Sequence, residues 1–73
     1  MNTTRYYSKM PKVGELFLSA GDGRNYVCEA VSRCFGVYRL RETKSKKRFL
    51  AEDGKRMSDG SVYFETILPI GQA

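Results

Sequence analysis

The chain contains no histidine, and among its 73 residues only two cysteines and two prolines. Without histidine, the Ser-His and Cys-His pairs that activate a nucleophile near neutral pH cannot be assembled. The two thiols, Cys28 and Cys34, do not complete a tetrahedral zinc site, so neither a metal nor a cofactor is expected. They are also too few for a disulfide framework, and a reducing cytoplasm keeps such residues as thiols. Cys28, set among apolar neighbours, is expected to act as a small core hydrophobe. Long apolar runs are missing too. Nothing approaches the roughly 20 residues that cross a bilayer, and residues 1–12 are polar, without the apolar stretch of a signal peptide. A soluble, cytoplasmic protein is the expectation. No segment carries a helical period, and there are no internal repeats or low-complexity tracts.

What is present describes a folded domain. Hydrophobic residues make up 41% and charged residues 29% of the chain, too apolar for a disordered polymer. A chain of this size supports one domain with one modest core, burying about 60% of the surface its unfolded form exposes. The expected organisation is a polar lead over residues 1–12, which carries a Tyr6-Tyr7 pair, a single β domain over 13–70, and a tail at 71–73.

Five strands are legible. "ELFLS" (15–19) and "YVCEAVS" (26–32) flank "AGDGRN", where Gly21 and Gly23 are expected to supply the positive φ of a hairpin turn. Both strands carry apolar residues on either face, as strands of a strongly curved sheet do. "VYRLRET" (37–43) alternates cleanly, with Tyr38 and Leu40 inward and Arg39 and Arg41 outward. "KSKK" (44–47) reads as a four-residue hairpin loop before "RFLAE" (48–52). Pairing Thr43 with Arg48 would then set Leu40 opposite Ala51, Glu42 opposite Phe49, Arg39 opposite Glu52 and Arg41 opposite Leu50. "DGKRMSDG" (53–60), with two Asp-Gly pairs, reads as a turn-rich connection to a last strand, "SVYFETILPI" (61–70), which Pro69 interrupts.

"VGELFLSAGDGRNYVCEAV", residues 13–31, resembles the opening of SH3-like barrels of the Tudor and KOW kind: a Val-Gly start, an apolar strand, a Gly-rich turn, then an aromatic-led strand. The resemblance spans about a quarter of the chain. It implies an all-β domain, a small five-stranded SH3-like barrel or curled antiparallel sheet, and a module that binds nucleic acid or peptide segments. It carries over no site residue.

Catalytic chemistry finds little support. Glu52 and Asp53 are neighbours whose side chains point to opposite faces of a strand, so they do not form a working carboxylate pair. "GDGR" lacks both the spacing of a phosphate-binding loop and a following helix. The protein is expected not to be an enzyme.

Charge is where the chain departs from the ordinary. Residues 39–56, "RLRETKSKKRFLAEDGKR", hold eight of the thirteen Lys and Arg residues, and the remaining sequence balances to zero against a net +5 for the whole. Clustered cations release counterions from a phosphate backbone, which is the main requirement for sequence-independent nucleic-acid binding. The candidate contact residues are Arg39, Arg41, Lys44, Lys46, Lys47, Arg48, Lys55 and Arg56. The alternative partner is an acidic protein surface, docked as compact regulators and virus-encoded inhibitors dock, with Leu50 placed outward beside Arg41 as an apolar contact. Pairing through the edge of the last strand is a third route.

Overall fold

The computed structural model describes residues 10–71; the Tyr6-Tyr7 pair and the last two residues lie outside them. Five strands form one antiparallel sheet in sequence order: β1 (Leu16–Leu18), β2 (Asn25–Ser32), β3 (Val37–Glu42), β4 (Arg48–Arg56) and β5 (Val62–Pro69). The described residues include no helix. The sheet curls strongly into a half-barrel, and its two edges meet where Ser19 bridges Val62 and the Ala20 N–H donates to the Val62 carbonyl at 2.8 Å.

The concave face forms the core: Phe17, Tyr26, Cys28, Leu40, Phe49, Ala51, Val62 and Phe64, with Met10, Val31, Tyr38 and Ile67 packed against it. Aromatic rings dominate this space. Phe17 stacks on Tyr26 and tilts against Phe64, each at 6.1 Å between centroids, while Tyr26 meets Phe49 edge-on at 5.6 Å and Tyr38 meets Phe64 at 5.5 Å. The buried Tyr26 hydroxyl donates to Asp22 Oδ2 at 2.7 Å, satisfying a polar group that would otherwise be costly inside. Burial first, then that hydrogen bond, pushes the phenol well above its ordinary pKa. Cys28 is fully buried, as expected of a core thiol, and Cys34 is exposed on the turn after β2.

Two irregularities, one in β2 and one in β4, shift the inward alternation by one residue. In β2, Cys28 pairs with Leu40 but Ala30 pairs with Arg39, so Glu29 is an extra residue in a β-bulge. Tyr26 and Cys28 point inward before it and Val31 after it. In β4, the alternation that puts Phe49 and Ala51 inward shifts by one at Asp53, whose φ is 55°. Gly54 then faces inward opposite Phe64, where an added Cβ would stand 2.5 Å from the ring. Bulges and glycines of this kind bend strands and raise their twist, which curls the sheet.

Four expectations need correction. "DGKR" is not a connection but the second half of β4; its Asp-Gly pair makes the kink just described, and the turn to β5 is shorter, at residues 57–61, closed by Met57 N–H to Ser61 O at 2.8 Å. The β3–β4 register lies two residues away from the expected one, pairing Leu40 with Phe49, Tyr38 with Ala51, Arg39 with Leu50 and Arg41 with Arg48. The cause is the loop, which spans 43–46, with Lys46 in the left-handed region at φ 66° and Glu42 N–H bonded to Lys47 O at 2.9 Å. Leu50 accordingly neighbours Arg39, not Arg41. At the first hairpin only Gly23, at φ 73°, supplies a positive φ; Gly21 instead lies against the Tyr63 ring.

Candidate basic groove on the outer sheet face

The register sets which side chains meet on the convex face. One row across the sheet reads Leu16, Val27, Arg41, Arg48, and the next reads Ala30, Arg39, Leu50, Leu68. Arginines and aliphatic residues therefore adjoin one another over the centre of the sheet. At the loop end, an open groove of about 820 Å³ is lined by Arg39, Lys46, Lys47 and Arg48 on one side and by Pro69, Ile70 and Gly71 on the other. Among the described residues, no acidic side chain lines it. Ile70 is anchored there by donating its N–H to the Arg48 carbonyl at 3.0 Å.

The loop that presents the lysines is stiffened by its own side chains. Ser45 Oγ donates to Glu42 Oε1 and accepts from Lys47 N–H at 3.2 Å. This gives the inward-facing, buried Glu42 a partner and explains a carboxylate at an inner position. Lys46 and Lys47 are exposed and carry no ion-pair partner among the described residues, and the same holds for Arg39.

Arg41 and Arg48 share an anchor. Arg41 Nε donates to Glu29 Oε2 at 2.7 Å and Arg48 Nε donates to Glu29 Oε1 at 2.9 Å. The hydrogen bond from Arg41 foremost, then the one from Arg48, hold the Glu29 carboxyl below the usual carboxylate range.

Of the eight cations expected to form the surface, four thus border one groove, and Arg41 adjoins it through Glu29. Lys44 is exposed on the same loop but does not line the groove. Lys55 points outward opposite Tyr63, seven residues along β4 from Arg48, roughly 20 Å away at strand spacing. Arg56 has turned away from the patch altogether: its NH2 donates to Glu15 at 2.9 Å, its NH1 to the Gly60 carbonyl at 2.9 Å, and only 17% of its side chain is exposed. For Glu15 burial opposes ionisation, but the Lys12 N–H and the Arg56 guanidinium outweigh it and leave the carboxyl pKa lowered. That pair ties the start of β1 to the end of β4 and is structural.

Sequence reasoning missed Glu29 and the C-terminal lining of the groove. The signal for Glu29 was present in "YVCEAVS", where a carboxylate sits in a strand whose apolar alternation breaks around it. Among the described residues, no group of three or more His, Cys, Asp or Glu side chains could hold a metal ion, and no helix is long and apolar enough to cross a membrane. A second open groove of about 700 Å³ lies at the opposite end, between Met10, Val31 and Tyr38, and includes none of the expected contact residues.

No protein-family model, curated protein or solved structure matches the chain.

Proposed function

We propose that the protein is a small non-enzymatic binding module that contacts nucleic acid through the β3–β4 hairpin and the groove beside it. The observation that supports this most is the convergence of Arg39, Lys46, Lys47 and Arg48 on one groove that, among the described residues, no acidic side chain lines. Three of the four have no ion-pair partner among the described residues, so there binding phosphate displaces water rather than a carboxylate. The surface is rigid because Leu40, Phe49 and Ala51, from the same two strands, are buried in the core.

The test is a mobility-shift titration at increasing salt, comparing the wild type with a Lys46→Glu, Lys47→Glu double variant and with Lys55→Glu. Log affinity should fall linearly with log salt for the wild type. The double variant should bind at least about tenfold more weakly with a shallower salt slope, and Lys55→Glu should stay within about twofold, because it lies outside the groove. Absence of any shift at low salt, or an equal loss in Lys55→Glu, overturns the reading.

One observation favours a second reading. Leu50 and Leu68 are 37% and 58% exposed beside Arg39, and aliphatic groups mixed with arginine suit a protein interface. The module would then be a regulator docking on an acidic protein surface. A stoichiometric partner retained after nuclease treatment, and lost from the double variant, distinguishes it.

A further inference from the structure

Arg41 and Arg48 stand directly opposite each other on neighbouring strands, an arrangement that is unfavourable for like charges. The β2 bulge resolves it by turning the Glu29 carboxylate onto the same face, where each oxygen accepts one Nε–H. This use of the carboxylate is unusual in what it leaves over. An arginine paired to one carboxylate commonly spends two N–H groups in a fork. Here each guanidinium spends one, and the terminal NH1 and NH2 groups of both have no partner among the described residues. Both side chains reach solvent, Arg41 at 35% and Arg48 at 60% exposure.

The result is two guanidiniums on one anchor, carrying a net charge of one, with their hydrogen-bonding forks free. A phosphodiester offers paired oxygens that match such a fork, whereas a lysine meets phosphate as a point charge. Arg48 belongs both to this trio and to the groove, which makes the surface continuous. Among the described residues no aromatic ring lines the groove, and Tyr38 is turned inward against Phe64. The described lining thus offers bases no platform to stack on, which is how single strands are held by most proteins that bind them without sequence preference.

We infer that Glu29 is a positioning residue that fixes Arg41 and Arg48 as a two-forked seat for phosphodiester groups, so that the site grips the backbone of double-stranded nucleic acid. This rests on the nucleic-acid reading above and goes further in assigning the ligand form and the residue that prepares the site.

The experiment measures binding of the full chain to a labelled 20-base-pair duplex DNA and to a 20-nucleotide oligo-dT between 50 and 200 mM salt. Glu29→Gln raises the net charge above +5 by one unit, so simple attraction would tighten binding. Positioning demands the opposite: about tenfold weaker duplex binding and a log–log salt slope smaller by about one to two. Arg41→Lys with Arg48→Lys keeps the charge and removes the forks, and a loss of about fivefold or more is expected. Urea midpoints establish that each variant is folded at the assay temperature. Glu29→Gln binding as tightly as the wild type overturns the inference and leaves the nucleic-acid reading intact. Oligo-dT bound as tightly as duplex overturns the assignment of double-stranded ligand. Failure of the wild type to bind either DNA removes both.

Discussion

Replacing Gly54 with alanine puts the curl of β4 to a direct test. In an unobstructed strand the change should help, since glycine costs about 0.5–1 kcal/mol relative to alanine through backbone entropy. At this position the new methyl would lie 2.5 and 2.6 Å from two Phe64 ring carbons, where carbon atoms ordinarily sit about 3.5–4.0 Å apart. Roughly 1 Å of overlap must be cleared. Met10 Cε, 3.1 Å away, is the end of a flexible side chain and can yield. The Phe64 ring cannot move as freely, because Phe17 and Tyr38 hold it on two sides. Overpacking of this kind costs typically about 1–3 kcal/mol, and an overlap this deep against a held ring belongs at the top of that range, so a net loss of about 2 kcal/mol is expected after the entropic gain. For a domain of 73 residues, whose total stability is on the order of 4–11 kcal/mol, that is a large fraction. It corresponds to a drop in Tm of about 8–16 °C. Urea and thermal unfolding followed by circular dichroism measure it. Combining the change with Phe64→Leu should recover part of the loss, with a coupling of at least about 1 kcal/mol. A Gly54→Ala variant more stable than the wild type would refute the close contact and, with it, the kink that carries β4 onward past Asp53.

Two further outcomes follow from groups whose surroundings are well defined. In the native protein Ellman's reagent should titrate one thiol rapidly, the exposed Cys34, and reach Cys28 only on addition of denaturant, because burial both shields that thiol and pushes its pKa up; two equally fast thiols would contradict the core assignment. Glu15, Asp22, Glu29 and Asp59 all have folded pKa values below their ordinary ones, so their stabilisation is fully present above the unfolded values of about 4 and is lost as pH falls through the folded ones. The urea midpoint should therefore hold between about pH 5.5 and 8 and decline below about pH 4, and an unchanged midpoint at pH 3 would show that these carboxylates are not engaged.

Much of this fold was legible in the chain, and the parts that were not share a cause. Alternation in "VYRLRE" assigns Leu40 to the core and Arg39 and Arg41 to the outside, and the structure agrees. The same alternation could not fix the pairing, because a slip of two residues leaves every side chain on its face. The offset was set by a local conformation, the left-handed Lys46, that residue type does not announce. "DG" at 53–54 carries the strongest turn signal in the alphabet, yet its glycine is there for Phe64, a partner that only the tertiary structure supplies. Arg56 looked like part of the basic segment for the same reason. Its acid, Glu15, lies 41 residues away in the chain. Net charge located the candidate surface, and long-range contacts decided which of its members belong to it.

The lone bridge from Ser19 and Ala20 to Val62 bears on how the chain reaches this shape. Every other strand pairing joins neighbours in sequence across a short turn, so the sheet can assemble hairpin by hairpin with little loop entropy to overcome at each step. Ring closure is the exception, joining segments more than forty residues apart. The backbone hydrogen bonds of a single bridge, worth about 1 kcal/mol net each, are a weak fastener for such a join. The closing force must come from Phe17 against Phe64 and from Glu15 to Arg56. The molecule is thus a ribbon that rolls up last. Its seam is where native-state hydrogen exchange should show the earliest opening; it engages β4 only at its far end, Arg56, whereas Arg41, Lys46, Lys47 and Arg48 lie at the other end of the hairpin, which zips together locally and stays formed while the seam opens.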